Sequence, residues 1–226
     1  MVMMLHEKSM ETYEIVLRQL NSFWPTVVDK QQMMYHISHA IEKTIASYDV
    51  SNTKYYLQKG FSVLNSTVYA VFLYHLSHEI GLRGGSSELA DKLYYLNKIM
   101  NCVEWYWNIE LPEHFVVEHP VGTVLGKATY GDYLCVFQGV TIGANFREKE
   151  CLWPVIGNHV TLYANSSVIG NCHIGNNVII AANAFLFNEI IQDNSVVYGS
   201  SPELVVRNCT EEENRKMMIR MWKSEP

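Results

Sequence analysis

Imidazoles close to carboxylates are the groups in this chain that could move a proton or hold a metal. His36 and His39, and likewise His75 and His78, are spaced i,i+3, so each pair shares a helix face and could in principle chelate an ion. His114 and His119 have an HxxxxH spacing, and Glu118 stands directly before His119. A neutral imidazole takes a proton near pH 7 because its pKa lies close to ambient, which is what an attacking hydroxyl requires. A carboxylate on the other ring nitrogen would fix the tautomer and stabilise the imidazolium. Cysteine offers less. The five cysteines form no CxxC pair, which points to free thiols in a reducing cytosol rather than to a disulfide framework or a zinc knuckle.

Something must position these groups. With 226 residues, 48% apolar and 18% charged, the chain can build a core as one large domain or two small ones, and the balance excludes disorder. Seventeen basic residues against 23 acidic leave a net charge of -6, which argues against nonspecific binding to nucleic acid or anionic membrane. The longest apolar run, Val68 to Tyr74, falls far short of the ~20 residues a bilayer requires. The first residues carry Glu7 and Lys8 instead of a signal peptide's apolar stretch, so a cytoplasmic location is expected.

Texture changes near residue 104. Before it, the pattern predicts helices over Glu11 to Trp24, Gln31 to Tyr48, Asn52 to Ile80 and Ser87 to Cys102. Leu89, Leu93, Leu96 and Ile99 recur at helix spacing, Ser86 or Ser87 caps that last helix, and Gly81, Gly84 and Gly85 mark a turn before it. The tail is predicted helical again. Thr210 with Glu213 forms a capping box, and Met217, Met218, Met221 and Trp222 give an apolar side that packs on the body or on a neighbouring subunit.

Between these ends the period becomes six. Hexads start at Val124, Tyr130 and Val136, reach Ile142, resume at Ile156, and continue from Leu162, Val168, Ile174, Ile180 and Leu186. The first position is aliphatic in nearly every hexad, the fifth is small or β-branched, and Gly or Asn fills the turns. Short strands that turn every six residues close a triangular coil. Its corners need left-handed backbone, and each coil buries its flat face only on the next. Cys172 takes a fifth position as a core filler. Gln192 and Tyr198 break the rule, so the coil is expected to fray there. Ile142 to Ile156 is too long for one hexad, and the surplus predicts an extruded loop able to carry function.

The hexads resemble the left-handed parallel β-helix of hexapeptide-repeat acyltransferases and, within that group, the serine acetyltransferase family. The resemblance covers Glu104 to Val206, and the upstream helices match that family's helical domain in length and position. The family has an aspartate, then Asp-His-Ala-Thr-Gly, then an aliphatic-Gly-Glu-Thr segment. Glu104, Glu118-His119-Pro120-Val121-Gly122 and Val124-Leu125-Gly126-Lys127-Ala128 stand at the same spacing here, and the loop after Gly143 reaches the family's proline at Pro154. The implied organisation is an α-helical N-terminal domain over 1–103, a left-handed β-helix over 104–206 and a C-terminal helix over 207–226.

The implied activity is acetyl-CoA-dependent O-acetylation, with the acceptor attacking directly and no enzyme nucleophile. His119 is then the general base, Glu104 its orienting carboxylate, Glu118 an acceptor contact and Asp49 the counterpart of a family aspartate in the helical domain. CoA lies against small residues, matched by Gly143, Ala144, Ala164 and Ala182. The family's assembly is a homotrimer with active sites at subunit boundaries, and helical domains can pair trimers.

The chain also departs from the family. Where the family loop ends in Arg-His-Pro, which helps hold serine, this chain has Leu152-Trp153-Pro154. Leu152 cannot clamp a carboxylate, which leaves Arg147 as the loop's arginine. Trp153 offers a plane for a sugar ring, and Trp105, Tyr106 and Trp107 either extend that wall or form the joint between the two domains. The expected acceptor is therefore serine or a sugar-containing metabolite. Tyr163 and Asn165 stand where the family usually has glycine; Asn165 tolerates the left-handed corner, and Tyr163 is expected to narrow or reshape the CoA groove. Arg207, Arg215 and Lys216 are the basic residues left for the CoA phosphates. The chain ends in Pro226 instead of the isoleucine that docks into cysteine synthase, so that complex is not expected. Two rival readings are a zinc enzyme resembling the β-helical carbonic anhydrases, through His114 and His119, and a noncatalytic trimeric scaffold. No metal is expected on the main reading.

Overall fold

The computed structural model describes residues 2–52, 60–83, 86–147 and 150–223, without the side chains of 2–5, 147, 150, 211, 215 and 218–220. Four helices come first: α1 (Val2–Phe23), α2 (Lys30–Asp49), α3 (Ser66–Leu82) and α4 (Ser87–Asn101). Asp29, Asn65 and Ser86 cap the last three, each side chain accepting from a backbone N–H in the first turn. The third helix thus starts at Ser66, where Asn65 can cap it, and not at Asn52; residues 53–59 lie outside the described residues. Gly81 is inside α3 rather than in a turn, because a Cβ there would run into the Trp107 ring. α3 packs between α2 and α4 and is buried almost all round, as its continuous apolar run requires. On α4, Leu93 and Leu96 are buried, while Ile99 faces outward against the periodic expectation.

The β-region opens with β1 (Phe115–Glu118), β2 (Val124–Leu125), β3 (Thr129–Tyr130), β4 (Leu134–Phe137) and β5 (Thr141–Gly143). A hairpin of β6 (Asn145–Arg147) and β7 (Glu150–Leu152) interrupts it. Then follow β8 (Val155–Ile156), β9 (Thr161–Leu162), β10 (Ser167–Ile169), β11 (His173–Ile174), β12 (Ile179–Ile180), β13 (Phe185–Phe187), β14 (Ile190–Ile191), β15 (Ser195–Ser200) and β16 (Glu203–Asn208). Pairing is parallel between coils, as in β1–β4–β9–β12–β15, and this is a left-handed β-helix of about five turns.

Three columns fill the triangle. Val117, Val136, Leu162, Ile180 and Val197 stack in one; Leu125, Ile142, Val168 and Leu186 in another; Tyr130, Ile156, Ile174 and Ile191 in the third. Each aliphatic member removed from water contributes roughly 1.5–3 kcal/mol. The register corrects two sequence expectations. In the first hexad the inward residue is Leu125, not Val124. At Gln192 the coil does not fray. The side after Leu186 is one residue short, so Ile191 takes the inward place and Val197 continues the stack. β16 then turns antiparallel and covers β15.

Corner residues carry the left-handed backbone the hexads predict, among them Asn165, Asn177, Asn183, Asn188 and Asn194. Their neighbours form a ladder in which the Oδ1 of Asn158, Asn176 and Asp193 accepts from the N–H of Asp132, Asn158 and Asn176 on the preceding coil.

After β16 the chain enters α5 (Glu211–Met221), held by the predicted capping box between Thr210 and Glu213. α5 returns along one corner. Asn214 donates to Asn194 on the last coil, and Trp222 packs edge-on against Tyr133 near the first, centroids 5.4 Å apart. The chain then pairs with the end of α2 through a Ser51–Trp222 bridge, and Lys223 N donates to Val50 O.

A candidate active site at the first coil

His119 sits where the first coil departs from its neighbours. Glu118 pairs with Phe137, and Gly122 lies against Gly139, so His119, Pro120 and Val121 occupy the place that Gln138 fills alone on the next coil. The two extra residues push His119 outward, with φ at 52° and the ring exposed. Threonine fixes the excursion: Thr123 N and Oγ1 both donate to Pro120 O. Trp105 Nε1 in turn donates to Thr123 Oγ1, and Glu104 N to Thr123 O. The backbone of Glu104 and the Pro120 carbonyl that follows His119 are thus tied to the same threonine. No hydrogen bond joins them among the described residues. Glu104 Oε2 is instead 2.6 Å from Lys98 Nζ, an exposed pair. That hydrogen bond is the leading cause of a raised Lys98 pKa. Sequence reading missed Lys98; its only signal was a lysine on the outward face of α4.

Below this corner the coils narrow to small residues. Asn183 N donates to Ala164 O, so Ala164 and Ala182 belong to the stack beneath Gln138. Tyr163 does not stand alone there, since its ring lies on Phe137 at 4.8 Å, directly below Glu118. Gly143 and Ala144 belong to a different edge, at the end of β5. Among the described glycines, Gly143 alone is neither left-handed nor crowded: an added Cβ would meet only Ile169 Cδ1, at 3.8 Å. Left-handed backbone or a close neighbour therefore accounts for every other described glycine but not this one.

The extruded loop is the β6–β7 hairpin, with Phe146 80% exposed at its outer end. Trp153 follows it and carries Lys127 over its ring, the ammonium 3.9 Å from the centroid. Lys127 is thus a cation at the loop that sequence reading did not single out. Trp105, Tyr106 and Trp107 are the joint and not a wall. Trp105 is buried, and Asp91 on α4 accepts from Tyr106 Oη at 2.9 Å and Trp107 Nε1 at 2.7 Å. Asp49 ends α2 beside the tail, its carbonyl accepting from Lys223 Nζ, and no described contact ties it to His119. Arg207 is paired with Glu213 at 3.1 Å, and Lys216 with Glu212 at 2.7 Å.

His114 lies across β1 from His119. Its Nδ1–H donates to Asp132 Oδ2 at 2.8 Å, and its ring stacks on Tyr133. The two histidines therefore do not converge on an ion. His78 Nδ1–H donates to Trp107 O at 2.6 Å, and burial pushes His75 down to about 3. Among the described residues no three His, Cys, Asp or Glu side chains form a metal site, and no helix is long and apolar enough to cross a membrane.

A family described as bacterial transferase hexapeptide (six repeats) matches residues 154–188. A serine acetyltransferase of Synechococcus elongatus is 32% identical over 102 residues, which is 45% of this chain and 42% of that protein. The chain thus spans less than half the length of such curated relatives. The crystal structure of Neisseria gonorrhoeae serine acetyltransferase superposes with a TM-score of 0.64 at 23% identity, over 82% of this chain and 72% of that one. A serine acetyltransferase in complex with CoA gives 0.58 at 15% identity, over 79% and 70%. At these identities the superpositions establish likeness of fold. In its repeats, its coil register and these matches, the chain is similar to the hexapeptide-repeat transferases and, among them, to the serine acetyltransferases.

Proposed function

We propose that the protein is an acetyl-CoA-dependent O-acetyltransferase that works without an enzyme nucleophile. His119 takes the proton of an acceptor hydroxyl as its oxygen attacks the thioester carbonyl. The C–O bond forms, the C–S bond breaks, and CoA leaves as the thiol with the proton returned by the imidazolium. Glu104 orients the ring and stabilises that cation. Glu118 contacts the acceptor, with the Phe137–Tyr163 pair beneath it. Gly143, Ala144, Ala164 and Ala182 line the CoA path, and Gly143 is the member whose size coil packing leaves unexplained.

The observation that carries the reading is the exposed His119, lifted off the coil by two extra residues in an excursion that Thr123 links, through Pro120, to the backbone of Glu104. The candidates occupy two edges of one triangular coil, so the complete site is built between copies, in a homotrimer. The hairpin with Trp153 and Lys127 contributes the acceptor side, and the acceptor is serine or a sugar-containing metabolite.

The test is thiol release from acetyl-CoA across serine, homoserine, free sugars and nucleotide sugars, with His119→Ala beside wild type. Loss of a general base lowers turnover by about 10²–10⁴-fold. Equal rates in the two proteins would remove His119 from the chemistry. Silence across the panel together with no CoA binding would leave the scaffold reading.

A further inference from the structure

Glu104 is fixed twice. Its backbone belongs to the first coil, with Glu104 N donating to Thr123 O and Leu125 N donating to Glu104 O. Its side chain is held from outside by α4. Asp91, Tyr94 and Lys98 share one face of that helix, and all three take the segment that follows Cys102. Asp91 receives Tyr106 and Trp107. The Tyr94 ring meets Tyr106 edge-on at 5.1 Å. Lys98, itself hydrogen-bonded to Tyr94, takes Glu104 Oε2. A lone exposed ion pair would carry little meaning. Here it is the last rung of a helix face that holds the whole segment, and the backbone that carries its carboxylate is tethered through Thr123 to the residue after His119.

We propose that Lys98 is the positioning residue of this site: by holding one oxygen of Glu104 it presents the other to His119. The proposal rests on His119 and Glu104 acting as base and orienting carboxylate. A free glutamate has one more rotatable bond than an aspartate, and an anchored one recovers the lost order. Among the described residues Tyr94 also acts on Lys98 and Glu104, Tyr106 packs on Tyr94 and donates to Asp91, and Glu118 precedes His119 in the chain.

The experiment follows the His119 ring by NMR against pH in the full-length protein, which requires no acceptor. Wild type, Glu104→Gln, Lys98→Met and the double variant form a cycle. Glu104→Gln is expected to shift the His119 ring resonances and its tautomer balance in wild type, as loss of an orienting carboxylate does. In the Lys98→Met background the same change is expected to have less than half that effect, and Lys98→Arg is expected to restore it. An equal or larger effect without Lys98 would overturn the proposal and leave the dyad intact. No effect of Glu104→Gln in wild type would remove Glu104 from His119, and the proposal would fall with the reading beneath it.

Discussion

At the scale of single residues, two positions matter most for what they lack or leave. His119 is legible because Glu118-His119 and Glu104 keep their spacing. What pushes the ring outward, three residues answering one across the ladder, appears only in the register. Gly143 reads in sequence like any turn glycine, and only open space combined with an ordinary φ separates it from the others. Alanine fits there without clash and reduces the freedom of the unfolded chain. Gly143→Ala is therefore expected to leave the melting temperature unchanged or raise stability by about 0.4–1 kcal/mol, while raising the KM for acetyl-CoA several-fold. Calorimetry and initial rates on the same sample check both halves. An unchanged KM would move the CoA path elsewhere. Lys98 and Lys127 escaped the sequence reading because each acts across a gap in the chain, on Glu104 and on Trp153.

At the scale of elements, the six-residue beat gave nearly every coil side, since one aliphatic residue per side is all that a stacked triangle demands. It failed where a side is one residue short, at Leu125 and Ile191, because a count cannot register a deletion that the next aliphatic residue absorbs. Leu162→Ala opens the middle of a column and is expected to cost about 2–5 kcal/mol in urea unfolding. The helices were less legible. The caps at Asn65 and Asp29 are short polar residues in a stretch with many of them, and Gly81 sits in a helix for the sake of Trp107.

The α2–α3 seam also makes a prediction about acid. His75 is buried on α3, and burial lowers its pKa to about 3; burial lowers that of His36 on α2 as well. The unfolded chain then binds more protons than the fold below about pH 6.5, so stability is full above that value and declines as pH falls toward 3. His75 alone contributes a slope of about 1.4 kcal/mol per pH unit in that window. Melting curves at pH 8 and pH 5 are expected to diverge in wild type and to draw together in His75→Leu. An undiminished gap in the variant would assign the acid sensitivity elsewhere.

For the whole molecule, the helical start, β-helical middle and helical end follow from texture alone, because the hydrophobic period changes from 3.6 to six and back. The assembly does not follow from one chain. Ala164 and Ala182 lie beneath the His119 corner, whereas Gly143, Ala144 and the hairpin lie at another. Closure of three copies brings unlike edges together without leaving a free interface. Light scattering is expected to give three or six times the 26.0 kDa chain mass, and a clean monomer with full activity would reject the shared site.

The return of α5 has a consequence for how this protein can change through time. Repeat architectures ordinarily grow or shrink by whole units, because each unit sees only its neighbours. Here eleven helical residues, about 16 Å long, run beside three coil spacings of about 4.8 Å each, from Asn194 back to Tyr133. The helix is a ruler. Duplicating a coil would draw Trp222 one spacing away from Ser51, and deleting one would overshoot it. A change in the number of coils would therefore need a matching change in the length of the last helix, a demand that loops and corners do not make.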